Sequence, residues 1–283
     1  MVAKDKLVRT AIVYDFDGTL AHGNIQEHSF IPEIGLEPKQ FWDEVRAAAQ
    51  QHDGDEILIY MWRMLAHAAK HQRAITENFL RAHGQSTPLF EGLTDWFARI
   101  NAYAVERGLE LDHYVVSSGL YEMISGCSIF AHFKKVFASR FLYDDTGCAV
   151  WPAVAINYTT KTQFLFRINK GIDTTWDNGR INRWQQLDER PVPFSRMIFI
   201  GDGETDIPSM KMVRQMEGHS IAVFDPDKAR SKKSQENIYQ LIAEDRVHFV
   251  APADYRDGSQ LDSTVKGILG RLARECGYRD AEP

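Results

Sequence analysis

A series of short apolar runs, separated by long stretches with helical spacing, constrains this chain more than any other feature. The runs are Ala11-Ile-Val-Tyr14, Tyr114-Val-Val116, Met197-Ile-Phe-Ile200, Ile221-Ala-Val-Phe224 and Val247-His-Phe-Val250. A strand without polar alternation is buried on both faces, and such strands belong to parallel sheets covered by helices. The expected fold is therefore α/β, a Rossmann-like parallel sheet core with helices on both faces. A chain of 283 residues, 44% of them hydrophobic, can fill that core.

Between the first two runs the texture changes. Pro38 to His52 carries Phe41, Trp42 and Val45 at helical spacing, and Asp55 to Gln72 carries Ile57, Leu58, Met61, Leu65 and Ala68. Thr76 to His83 is a shorter helix that stops at Gly84. Residues 21–88 thus read as an inserted α-helical cap subdomain, with 1–20 and 89–283 forming the α/β core. Leu93 to Arg107 is the helix that returns to the core. Asp144-Asp-Thr-Gly147 is a hairpin turn between two strand-like runs within Val136 to Asn157. Residues 171–195 have little periodicity and read as an ordered excursion or long loop.

Charge and leader signals exclude several classes. The net charge is −6, against the basic footprint of a general nucleic-acid binder. No apolar run is long enough to span a bilayer or to form a signal-peptide core, so no membrane partner and a cytoplasmic location are expected. Cys127, Cys148 and Cys276 lack metal-ligand spacing and read as ordinary thiols. His67 and His71 have the i,i+4 spacing of zinc ligands but no neighbouring glutamate, and Lys228 to Lys233 reads as a solvated basic cluster. The tryptophans are assigned to core and cap packing. A glycine-rich loop followed by Lys-Ser or Lys-Thr is absent, against a P-loop nucleotidase.

The chemistry concentrates where the strands end. Asp15-Phe-Asp-Gly-Thr19 follows the first run and Gly201-Asp-Gly-Glu-Thr-Asp206 follows the third. Ligands bind beyond the carboxyl ends of parallel strands. Carboxylates crowded there repel one another and call for a cation. Ser117-Ser118-Gly119 closes the second strand and offers a hydroxyl and backbone N–H groups to an anion. Lys161 opens a helix in Thr159-Thr160-Lys161-Thr162, and Lys170, at that helix's end before Gly171, is its rival as the active-site cation.

In order and context these elements resemble the haloacid dehalogenase superfamily, and the layout with a helical insert after the first motif resembles its phosphoserine phosphatases. The resemblance implies that Asp15 attacks phosphorus as a covalent nucleophile and that Asp17 serves as general acid and base. It implies Mg2+ held by Asp15, the Asp17 backbone carbonyl, Asp202 and Asp206. Ser117, Ser118, Gly18 and Lys161 would hold the phosphoryl group of a small phosphorylated metabolite. The Lys161–Asp202 interval is longer than that family usually shows, and the cap glutamate and arginine that bind phosphoserine have no match. A phosphotransferase or mutase on the same scaffold, and a phospholigand-binding protein without turnover, are the alternatives.

Overall fold

The computed structural model describes residues 7–203, 205–229 and 231–278, so Glu204 of the acidic motif and Arg230 of the basic cluster lie outside the described residues. A seven-stranded sheet has the order β4-β3-β2-β1-β5-β6-β7. The strands are β1 (Val8–Tyr14), β2 (Leu109–Leu120), β3 (Lys135–Tyr143), β4 (Ala149–Val154), β5 (Met197–Gly201), β6 (His219–Phe224) and β7 (Phe249–Pro252). All neighbours are parallel except β3 and β4, the hairpin at the edge. β1 lies centrally and is buried from Thr10 to Tyr14, as its unbroken apolar run requires.

The helices are α1 (Phe30–Glu33), α2 (Pro38–His52), α3 (Glu56–Lys70), α4 (Glu77–Gly84), α5 (Leu93–Val105), α6 (Tyr121–Ile124), α7 (Lys161–Lys170), α8 (Asn178–Asn182), α9 (Ile207–Gln215), α10 (Lys232–Ala243) and α11 (Gln260–Glu275). Local chemistry sets the ends of the inserted helices. Asp55 accepts from the N–H groups of Ile57 and Leu58 to start α3, and Thr76 accepts from Phe79 to start α4. Each such cap is worth about 0.5–2 kcal/mol.

Each face of the sheet has its own core. One face joins Ile12, Tyr14 and Val115 to α5, α11 and the inserted helices, with Phe30, Phe41, Met61, Met64 and Leu80 all buried in one cluster. The opposite face packs Ala11, Val13 and Phe199 against α7 and α9 through Phe164, Leu165 and Met210. Both connections of the insert run side by side: Ala21 bridges Leu89, and the His22 N–H donates to the Pro88 carbonyl. Far along, the insert packs backbone to backbone on α6. A Cβ at Gly84 would sit 1.8 Å from the Met123 carbonyl oxygen.

Three expectations need correction. β2 does not end at Ser117-Ser118-Gly119 but continues to Leu120, because a bulge between Ser117 and Leu120 re-aims the strand. β7 begins at Phe249, two residues later than the apolar run suggests. The tryptophans are mostly not packing residues: Trp96 is fully buried, whereas Trp62, Trp151, Trp176 and Trp184 are exposed. Among the described residues no helix is long and apolar enough to cross a membrane.

Candidate active site

β1 and β5 deliver their carboxylates side by side, since Tyr14 pairs with Ile200 and the Asp15 N–H donates to the Ile200 carbonyl. Oxygen atoms of Asp15, Asp202 and Asp206 lie within 4.8 Å of one another. Asp15 and Asp206 are buried and Asp202 faces solvent. Lys161, on the first turn of α7, is completely buried and places Nζ 2.9 Å from Asp15 Oδ1 and 2.7 Å from Asp206 Oδ1. Burial opposes its charge, but the two carboxylates outweigh that and hold the ammonium above its ordinary pKa. Lys170 is elsewhere: its Nζ donates to the carbonyls of Ile181 and Arg183. The geometry therefore brings Lys161, not Lys170, to the acidic cluster.

Asp17 points to the other side of β1. Its Oδ1 accepts from the Ile25 N–H at 2.9 Å, and its carboxylate is not part of the three-residue cluster. Burial pushes the Asp17 carboxyl up to about 7, against the lowering effects of the Ile25 N–H and Lys161. Asp15 is also raised well above the carboxylate range, first by burial and then by Asp206, with Lys161 opposing. A carboxyl near 7 is poised to give and take a proton at neutral pH. The Ser117 hydroxyl is fully buried and accepts from the Gly119 N–H at 3.0 Å, leaving its own proton to donate. The neighbouring Ser118 Oγ is buried without a partner among the described residues.

Glycines make this crowding possible. Gly18 has φ +72°, and a Cβ there would lie 2.4 Å from Asp202 Oδ2. A Cβ at Gly119 would lie 2.8 Å from Asp17 Oδ2, and one at Gly201 would lie 2.2 Å from Asp206 Oδ2. The close approach of Asp202 to Gly18 was signalled only by a glycine in each acidic motif.

The donor set fits a hard divalent cation. It consists of carboxylate oxygens, it carries more negative charge than Lys161 neutralises, and Asp206 Oδ2 is buried with no hydrogen-bond partner among the described residues. Histidines are not part of it. His67 Nε2 instead pairs with Glu44 Oε2 at 2.9 Å.

Comparison with known proteins bears on the family and the fold. An uncharacterized protein of Borreliella burgdorferi is 28% identical over 278 residues, covering 89% of this chain and 93% of its own length. A HAD family hydrolase from Salmonella enterica serovar Typhi matches the fold with a TM-score of 0.57 at 16% identity, over 93% of this chain and 72% of that one. A phospho-aspartyl intermediate analogue of phosphoserine phosphatase matches with a TM-score of 0.53 at 16% identity, over 92% and 99% of the two chains. The haloacid dehalogenase-like hydrolase family profile matches residues 12–211, and the chain belongs to that family.

Proposed function

We propose that this hydrolase is a magnesium-dependent phosphatase that cleaves a small phosphomonoester through an aspartyl-phosphate on Asp15. The observation that carries the reading is the fully buried Lys161 ammonium between Asp15 and Asp206, with Asp17 near neutrality two residues along. The phosphoserine phosphatase trapped as a phospho-aspartyl analogue supports the same chemistry on a similar fold.

Asp15 attacks phosphorus while the ester oxygen leaves. Asp17 gives that oxygen its proton, then takes a proton from the water that hydrolyses the acyl phosphate. Lys161 and the Ser117 hydroxyl hold the phosphoryl oxygens in place, and preorganised charge of this kind is the main source of rate in phosphoryl transfer. The carboxylates of Asp15, Asp202 and Asp206 and the Asp17 carbonyl would hold Mg2+, which supplies the positive charge that lets an anionic nucleophile meet an anionic phosphate. Residues 21–88 act as the cap over this site, on a core formed by 1–20 and 89–283.

Phosphate release from p-nitrophenyl phosphate tests the reading. Magnesium should support turnover and chelator should abolish it. Asp15→Asn, nearly isosteric, should lower turnover at least about 10⁴-fold while the protein stays folded. Full activity in chelator, or in a clean Asp15→Asn preparation, would sink the proposal.

A further inference from the structure

Among the buried polar atoms that the mechanism leaves unused, one group lies on the β2 side of Asp17. Glu122, on α6, is 2% exposed; its Oε1 accepts from the Phe141 N–H and the Tyr143 hydroxyl, but its Oε2 has no partner among the described residues. Arg140 attracts Glu122 only from a distance and stacks instead on the Tyr121 ring, 4.2 Å from its centre. Gln26 is 1% exposed with Oε1 unpartnered, and Ser118 Oγ is likewise buried and unpartnered.

Tyr60 ties these groups together. Its hydroxyl donates to the Ser118 carbonyl at 2.7 Å. Gln26 and Ser139 stand beside that hydroxyl, and the charges of Asp17 and Glu122 both act on it. The set therefore spans the helices between β1 and β2 (Gln26, Tyr60) and the core (Ser118, Glu122), beside Gly119, where a Cβ would lie 2.8 Å from Asp17 Oδ2. Buried polar atoms almost always find a partner, so a cluster without one is a place where a ligand or water supplies it.

We infer that Gln26, Tyr60, Ser118 and Glu122 form a recognition chamber for the leaving group, selective for small leaving groups that donate hydrogen bonds, hydroxyl or ammonium. The inference rests on the phosphatase reading for the position of the phosphoryl group. Its chemistry follows from the unpartnered atoms: Gln26 Oε1 is an acceptor, Glu122 Oε2 accepts in the ionised form, which burial disfavours and a donor on the leaving group would restore, and Tyr60 has already spent its proton. An apolar leaving group would strand both acceptors in a buried site, whereas a polyol or an amine would satisfy them.

Binding to the Asp15→Asn protein in magnesium tests this without turnover. Glycerol 1-phosphate and ethanolamine phosphate should bind at least about tenfold more tightly than propyl phosphate. In that background Gln26→Leu, Ser118→Ala and Glu122→Gln should each move the ratio towards one. Glu122 also anchors Phe141 and Tyr143, so the first two substitutions keep the test decisive if the third unfolds the protein.

A ratio near one in the starting protein would mean that the chamber holds water only, and a ratio that survives every substitution would place recognition elsewhere. Either result overturns the inference. Turnover of the same esters by the unsubstituted protein separates the two readings. No phosphate release with the binding preference intact would overturn the phosphatase alone, and release with a flat preference would overturn the chamber alone. No binding of any ester would overturn both.

Discussion

Two segments depart from the plain α/β core, the stretch proposed above as an insert, 21–88, and the excursion at 171–195, and they are held in different ways. The insert is fixed by apolar burial: Phe30, Phe41, Met61, Met64 and Leu80 belong to the same cluster as Ile12 and Val115 of the sheet. The excursion has buried apolar ends, Ile172 and Val192, and its middle is fixed by cations. The buried Arg167 guanidinium donates to the carbonyls of Thr174, Thr175 and Asp177 and to Asn178 Oδ1, and Lys170 donates to the carbonyls of Ile181 and Arg183. The large apolar side chains between its ends face solvent, with Trp176 79%, Trp184 77% and Leu187 70% exposed, while Ile172, Val192 and Phe194 near the two ends are buried. A segment rich in tryptophan is thus not a hydrophobic segment in the sense that matters for packing. The two modes also serve different ends of α7. Lys161, at its start, belongs to the acidic cluster, and Lys170, at its end, clamps backbone.

The largest effect should separate those two lysines. Lys161→Ala removes the buried ammonium between Asp15 and Asp206, and turnover should fall by about 10²–10³ or more. Lys170→Ala removes hydrogen bonds to two carbonyls at the excursion and should leave kcat within about twofold, with a stability loss of about 1–3 kcal/mol. Steady-state kinetics and urea unfolding on the same preparations read both. The reverse ranking would break the division between a catalytic and a clamping end of the helix.

Truncation of aromatic side chains compares the segments directly. Phe41→Ala in α2 opens a cavity in the shared core and should cost about 3–5 kcal/mol of global stability in a single cooperative transition. Trp184→Ala removes a larger ring from solvent and should change stability by no more than about 0.5 kcal/mol. A separate early transition for the insert in Phe41→Ala, followed by intrinsic fluorescence, would show that the insert is a free-standing unit and not part of the sheet's core.

How far the sequence reveals all this depends on the range of the interactions. β1, β5 and β6 are legible because an unbroken apolar run reports burial on both faces of one strand. α3 and α4 are legible to within a residue or so because Asp55 and Thr76 cap them locally. The acidic cluster is legible because strand order brings the ends of β1 and β5 together once the sheet is inferred. What fails is non-local. Nothing near Ser117 announces the bulge that carries β2 on to Leu120, since it is set by pairing with β3. Glu122 and Gln26 look like ordinary surface residues in sequence, yet they are buried by contacts across the boundary between insert and core. The tryptophans mislead because composition records how apolar a residue is and not whether anything covers it.

Acid should weaken the insert's face of the molecule and spare the clamp on the other. His113 of β2 lies in the shared core, in a chain where the Trp96 indole donates to the Tyr14 hydroxyl, which meets His113 Nδ1, while Nε2 faces Asn101 Oδ1. That arrangement fixes a neutral ring with its proton on Nε2, and burial, aided by His132, pushes its pKa down to about 3. The unfolded chain takes up this proton as pH falls through about 6.5, whereas the folded chain refuses it until about 3, so stability drops across that window by about 1.4 kcal/mol per pH unit. Between pH 7 and pH 5 the loss from His113 should be about 2 kcal/mol. The Arg167 clamp stays cationic over the same range and contributes nothing to the slope. His83, His219 and His248 are shifted in the same direction by burial, so the measured loss will exceed the share of His113. The quantity to compare is therefore a difference of differences. Urea unfolding at pH 7 and pH 5 should show about 2 kcal/mol less acid destabilisation in His113→Gln than in the unsubstituted protein, whatever the substitution costs at pH 7. An identical pH dependence in the two proteins would mean that His113 can charge in place, and that the core shared by the insert and the sheet is wetter than its packing implies.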